Sequence, residues 1–255
     1  MATEELSVKG LSDFKLKVIA LILLCFGIFS TSVVGHGIVL LGAGATANDI
    51  PLDQLTIYVV TEILSWTALP IYAWLLLSGF EHTSSLKNYV LRLLVLALIT
   101  EPLYDFSVYG TAFDMRSQNP VWALLISLAV LYFFRYLRGS QMSKAQQVLG
   151  CVLVSLAAIL WLLIFNVYTR FGFFPGGIVL FLFVIIFATL RSKVNTMMMT
   201  AGFVGALCVV TPAMGLVILH FRNNELGMGP MAERVFYFLY PMLLLLFSVY
   251  GVTGF

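Results

Sequence analysis

Apolar stretches of about twenty residues, each long enough to cross the hydrocarbon core of a bilayer as a helix, recur from one end of the chain to the other. Hydrophobic residues make up 61% of the 255 and charged residues only 10%, against about 25% charged in an ordinary soluble domain. A soluble core of this size cannot hide so much apolar surface, so lipid must be the solvent for most of it. The net charge of +2 and the absence of any basic run interleaved with aromatics exclude a nucleic-acid partner. Cys25, Cys151 and Cys208 sit singly inside apolar segments, as buried small side chains do, with no metal or disulfide spacing.

The expected architecture is all-α: a polytopic helical bundle of about eight transmembrane helices in a single membrane domain. The spans fall at 16–41, 56–80, 89–109, 121–137, 147–168, 174–190, 197–219 and 235–252. Gly42 to Pro51, Gly110 to Pro120 and Arg138 to Lys144 punctuate them, and the tightest junction is Thr169–Pro175. The first span is too long for a cleavable signal and further spans follow it. With the N-terminus inside, Lys9, Lys15, Lys17, Lys87, Arg92, Arg135, Arg138, Lys144, Arg191 and Lys193 fall on the cytoplasmic side. Arg116, Arg170, Arg222 and Arg234 fall outside. That asymmetry predicts both termini in the cytoplasm.

Ionisable groups within spans cost at least ~2.5 kcal/mol each at a helix centre, which makes them functional candidates. They gather toward the outer leaflet: His36, Glu62, Glu101 and Asp105, with Arg116, Asn119, Arg170, His220 and Arg222 expected nearby. Glu101 and Asp105 are four apart and share a helix face, with Pro102 between them to open the local backbone. Such a pair can act as general acid and base, can hold a cation or an amine, or can lock helices together by pairing with outer arginines. Glu62 and His36 lie close enough to the interface for a hydrated, structural role. On the inner side, His82 and Thr83 close the second span. No HExxH, Walker A, GxSxG or CxxC motif occurs.

One longer pattern is more specific. Leu77-Ser78-Gly79-Phe80-Glu81-His82-Thr83 is followed by Tyr89-Val90-Leu91-Arg92-Leu93, by Ala97 to Asp105 (ALITEPLYD) and by Gln118-Asn119. In order and spacing this resembles the TraX family, named for an F-pilin acetylase. Pro70, Gly172, Gly176-Gly177 and Tyr240-Pro241 agree as well. The resemblance implies a multi-pass protein of the bacterial cytoplasmic membrane and an acyltransferase-type fold. Acetyl-CoA or another acyl-CoA would be the co-substrate, and a pilin-like or envelope molecule the acceptor. It also implies Glu101 and Asp105 as catalytic candidates, and Glu62, His82, Thr83, Gln118 and Asn119 as substrate-binding candidates. The departures fall on polar positions: Gly27 and Ile28 stand where the family usually has Asp-His, Trp66 where it has Arg, Arg170 where it has Asp, Leu243 where it has His, and Ala123 where it has Thr. The alternative is therefore a non-catalytic membrane subunit that binds and stabilises a larger membrane-protein complex. A transporter is a third reading, for which no inverted repeat is visible.

Overall fold

The computed structural model describes residues 10–34, 51–227 and 230–253. Ten α-helices account for nearly all of it: α1 (Asp13–Phe29), continued by a π-helical turn at Ser30–Val34, α2 (Leu52–Ser65), α3 (Ala68–His82), α4 (Leu86–Tyr109), α5 (Pro120–Gly139), α6 (Lys144–Ile164), α7 (Gly176–Leu190), α8 (Val194–Leu207), α9 (Thr211–His220) and α10 (Pro230–Thr253). A two-stranded hairpin, β1 (Thr169–Arg170) with β2 (Phe174–Pro175), joins α6 to α7. Among the described residues, four helical segments are long and apolar enough to cross a membrane: Asp13–Val34, Leu52–His82, Pro120–Gly139 and Lys144–Ile164. Leu86–Tyr109 has the length, but Lys87, Arg92, Glu101 and Asp105 dilute its apolar character. The remaining helices are apolar and shorter.

Local sequence sets the helix starts. Ser12, Ser85, Asn119 and Ser143 cap α1, α4, α5 and α6 by accepting a backbone N–H with the side-chain oxygen. At α5 the cap is followed by Pro120, whose missing N–H costs nothing in the first turn. The first N–H groups of α1 have another solution. Asp13 N donates to Glu225 O at 2.8 Å and Phe14 N to Leu226 O at 3.2 Å, so the strand-like strap before α10 seals the end of α1.

α3 is the hub. Most of its residues are buried, and α1, α5, α7 and α9 all pack on it. The single span expected at 56–80 is broken at Trp66–Thr67, where 3₁₀-type bonds (Trp66 N to Ile63 O, Thr67 N to Leu64 O) replace the α pattern just ahead of Pro70.

Chain directions follow from cross-helix contacts. Asp13 meets Ser78, Tyr89 meets Gly79, and Arg135 meets Phe80, so one end of the bundle, here called proximal, holds the start of α1, the end of α3, the start of α4 and the end of α5. The opposite, distal end holds Ser107 beside Ser32 and the β hairpin beside Glu62.

The segment expected as one span at 197–219 differs. It is a helical hairpin: α8 leaves the proximal end, turns at Cys208–Val210, and α9 returns. Val209 and Val210 carry φ of +68° and +69°, a left-handed conformation that turns the chain within three residues. Antiparallel pairing is close because a Cβ on Gly205 would lie 2.7 Å from Ala213 N. α9 then lies flat on α3, where a Cβ on Gly215 would come within 2.2 Å of Thr67 O. The return corrects the expected placement of His220 and Arg222. They lie at the proximal end, where Leu11 N donates to Phe221 O and Leu11 O accepts from Asn223 N, not beside Arg116 and Arg170. α10 consequently starts proximally, with Phe14 against Phe236, and finishes distally, with Gly251 against Ser32. The described ends of the chain therefore lie at opposite ends of the bundle, unlike the expectation of two termini on one side.

Candidate functional site

Two polar regions occupy the bundle, one toward each end. The distal region centres on Glu62, which is 1% exposed, and Arg170, 5% exposed. Arg170 Nε donates to Glu62 Oε1 at 2.6 Å and Nη2 to Oε2 at 3.1 Å, a bidentate pair. Trp66 Nε1 donates to the same Oε1 at 3.3 Å, and Arg170 Nη1 reaches the Tyr104 hydroxyl at 3.3 Å. Stacking of Trp66 on Phe174, with ring centroids 3.6 Å apart, closes this cluster under the β hairpin. Gly27 packs against it too, since a Cβ there would lie 2.8 Å from Ser65 Oγ. Three positions that depart from the family pattern, Gly27, Trp66 and Arg170, thus meet around Glu62. Both Glu62 oxygens accept hydrogen bonds within this lock.

Glu101 and Asp105 lie on the next helix. Glu101 Oε2 accepts from the Asn119 side chain and from Trp122 Nε1 at 2.6 Å, while Oε1 is buried without a hydrogen-bond partner. Asn119 Nδ2 also donates to Ala97 O at 2.9 Å, in the turn preceding Pro102. Asp105, 2% exposed, accepts from Asp114 N at 2.9 Å through Oδ2, and its Oδ1 is likewise unpartnered. Neither carboxylate pairs with an arginine among the described residues. Arg116 instead forks onto Asp114, at 2.8 Å for the closest contact, and holds that carboxyl below the usual range. Gln118 knits the loop to the strand after α6: its N donates to Asn166 O, its O accepts from Tyr168 N, and its side chain turns back to Asp114 O. Gln118 and Asn119 thus tie this loop to α4 and to the segment after α6. His36 lies outside the described residues.

The second region is a cavity of about 440 Å³. It begins at the proximal end among Lys17, His82, Thr83 and Ser84, passes Arg92 and the aliphatic face of α3 (Tyr72, Leu75, Leu76, Gly79), and ends at Ser65, Tyr168, Pro120 and Val121. Ser65 and His82 are seventeen residues apart in sequence, about 25 Å at 1.5 Å per residue. The mouth is polar. Asp13, buried in the first turn of α1, accepts from Ser78 Oγ, and His82 Nδ1 lies 2.8 Å from Ser78 O. The Arg92 guanidinium sits over the Tyr237 ring at 5.6 Å. Thr83 Oγ1 donates to Ser85 O at 3.2 Å and shapes the turn into α4. Gly79 is required here because a Cβ would lie 2.9 Å from the Tyr89 hydroxyl.

His82 and Thr83 border the cavity. Glu101 and Asp105 do not line it; Glu101 reaches it only through Asn119, the residue before Pro120. Asp13, Lys17, Ser78, Tyr168 and Tyr240 were not anticipated. The i, i+4 pair of Asp13 and Lys17 at the start of the first span was the available signal, whereas Tyr168 and Tyr240 give none until the helices pack.

Nearly all-helical, apolar on its outside and hollowed by an amphiphilic channel, the molecule is a multi-pass membrane protein. The family model described as TraX protein matches residues 12–250, almost the entire chain, and the protein belongs to that family. Comparison with curated proteins and with solved structures returns no match. The motif residues that carried the resemblance, Gly79, His82, Thr83, Tyr89, Arg92 and Tyr240, border the cavity, from α3, α4 and α10 and the turn between α3 and α4.

Proposed function

We propose that the protein is a membrane acyltransferase that admits an acyl-CoA, acetyl-CoA being the smallest case, through the proximal mouth of the cavity. The acyl group passes to a pilin-like or envelope acceptor at the Glu101–Asp105 corner. The observation that carries this reading is the cavity: a narrow channel with Lys17, His82 and Arg92 at one end, apolar walls, and a closed end of tyrosine and serine beneath the distal carboxylates. Basic groups suit the phosphates of the CoA head, and the apolar walls suit the acyl-pantetheine arm. The acceptor comes from the distal corner, where Glu101 Oε1 lies behind the Asn119–Pro120 wall of the closed end, and gives its amine or hydroxyl proton to that oxygen as it attacks the thioester carbonyl. The Tyr168 hydroxyl donates to the developing oxyanion, the C–S bond breaks, and CoA leaves as a thiolate that is protonated at the mouth.

The proximal end faces the cytoplasm in this reading. Arg116 and Arg170 are the only described lysines or arginines at the distal end, so the return of the α8–α9 hairpin makes the positive-inside asymmetry sharper than eight simple crossings would. The topology is seven crossings and a hairpin that enters and leaves on the cytoplasmic side, in a bacterial cell membrane.

The test uses protein in proteoliposomes with labelled acetyl-CoA, measuring free CoA and transferred label. Arg92→Gln is expected to raise KM, and Glu101→Gln to lower kcat with KM little changed. A second reading, a binding subunit without chemistry, draws on the Glu62–Arg170 lock at positions where the family has other polar residues. Saturable binding of a non-cleavable acyl-CoA thioether with no CoA release from acetyl-CoA would establish that reading. Neither binding nor release would overturn the acyl-CoA reading, and a monomer in mild-detergent purification would then overturn the complex-stabilising subunit.

A further inference from the structure

On the face of α3 turned away from the cavity lies a second cluster. At 100° per residue, Trp74 and Glu81 project opposite to Tyr72, Leu75, Leu76 and Gly79, and toward α7 and α9. There the guanidinium of Arg191, just past the end of α7, lies 5.3 Å from the Trp74 ring centroid. That of Arg222, just past α9, lies 4.2 Å from it. Arg191 pairs with Glu81. Arg222 donates from Nη1 to Leu219 O at 2.9 Å and has no carboxylate partner among the described residues. Two donors in the cluster remain buried and unpartnered: Trp74 Nε1, on a residue 3% exposed, and Arg222 Nε.

The electrostatics are one-sided. Burial and the charge of Arg191 both lower the Arg222 pKa from its ordinary value. Glu81 pairs with Arg191, and no carboxylate among the described residues pairs with Arg222. Arg222 caps the carbonyl end of α9 through Leu219 O, and Arg191, at the end of α7, is held by Glu81, which accounts for one favourable contact each. It does not account for the unused Nε of Arg222 or the indole N–H. An anion with several acceptor oxygens satisfies both, and a tetrahedral phosphate is the group whose geometry matches guanidinium N–H donors. Clusters of this kind, between spans at the level where the helices end, are where a phospholipid phosphate sits.

We propose that Arg191, Arg222 and Trp74 form a phosphate-binding site at the proximal membrane surface, separate from the acyl-CoA cavity, that holds the phosphate of an anionic phospholipid. The site is built by the hairpin: only because α9 returns to the proximal end does Arg222 meet Arg191 across Trp74.

The test is retention of lipid by the full chain. Protein is purified in mixed micelles of phosphatidylglycerol and phosphatidylcholine, and bound lipid is counted by native mass spectrometry, with inorganic phosphate added in a parallel series. Selective retention of phosphatidylglycerol is expected, weakened about fivefold for each arginine changed in Arg191→Gln and Arg222→Gln. Arg222→Lys should restore part of it and Trp74→Phe should weaken it while keeping the ring. Arg92→Gln, at the cavity, should leave it unchanged. Displacement of the lipid by millimolar phosphate would support a site that reads the phosphate group and would assign it to soluble phosphate compounds as well. Equal lipid retention by wild type and both arginine variants, with monodisperse protein in each case, would overturn the proposal. Because the readout is lipid and not CoA, its failure leaves the acyl-CoA reading untouched.

Discussion

Arg170→Gln isolates the distal lock. The substitution removes both bonds from Arg170 to Glu62, at 2.6 and 3.1 Å, and leaves a carboxylate that is 1% exposed with only the Trp66 N–H at 3.3 Å. Breaking one partner out of a buried ion pair costs about 3–5 kcal/mol, because the remaining charge stays buried. For a chain of this size each kcal/mol moves the melting temperature by roughly 2–4 °C, so Arg170→Gln should lower it by about 6–20 °C. The double variant Glu62→Gln/Arg170→Gln removes both charges and keeps hydrogen-bonding groups, so it should recover more than half of that loss. Thermal melts of detergent-solubilised protein, followed by intrinsic tryptophan fluorescence and checked by size exclusion, give the comparison. A shift below about 2 °C for the single variant, or a double variant no more stable than the single, would refute the lock. Loss of CoA release without loss of stability would make Glu62 a site residue after all.

Three further outcomes are expected. In a background lacking Cys25, Cys151 and Cys208, a Glu225→Cys thiol should react with an impermeant reagent only from the cytoplasmic side, and Thr111→Cys only from the other. Labelling of both positions from the same side would contradict the hairpin. Gly215→Ala drives a Cβ to within 2.2 Å of Thr67 O, and overpacking of about 1–3 kcal/mol should cost several degrees of melting temperature by the same fluorescence melt. Lowering the pH should release Asp114 from Arg116. Since the folded carboxyl is held below its usual range, the contribution of the pair is present above the unfolded value and is lost as pH falls through the folded one. Faster exchange of the backbone amides around Arg116 at acid pH, absent in Asp114→Asn, is the check.

What the sequence could and could not show divides along physical lines. Helix positions were legible because each helix needs only a run of apolar residues, and α1, α4, α5, α6, α7 and α10 overlap those runs. The α8–α9 hairpin was not, because its run is as apolar as a crossing span. Only the backbone at Val209 and Val210 and the small residues Gly205, Ala213 and Gly215 distinguish a hairpin from a helix, and Val is a poor advertisement for a left-handed turn. Glu101, Asp105 and Glu62 were singled out by charge alone, but charge does not reveal partners: Glu62 found an arginine 108 residues away, while Glu101 found an asparagine and an indole. The cavity was legible only through the family motifs around it, since its remaining walls are ordinary leucines.

The distribution of paired and unpaired charge bears on what meets each end. Both distal arginines are neutralised on the spot, Arg170 by Glu62 and Arg116 by Asp114. The distal corner is left with Glu101 and Asp105, each with one oxygen unpartnered. The proximal end keeps Arg92 and Arg135 stacked on aromatic rings and Arg222 over Trp74, so its positive charge stays available to anions. In the proposed acyl transfer, a donor rich in phosphate would be drawn to the proximal mouth and repelled from the distal corner. An acceptor arriving as an ammonium group would be drawn to the distal carboxylates and lose its proton to one of them on the way to attack. On this arrangement an amine is a better acceptor than a hydroxyl at the same position. Competition between a short amine-terminated peptide and its N-terminally blocked hydroxyl analogue should show label on the amine alone; equal labelling of the two would remove the carboxylates from the choice of acceptor.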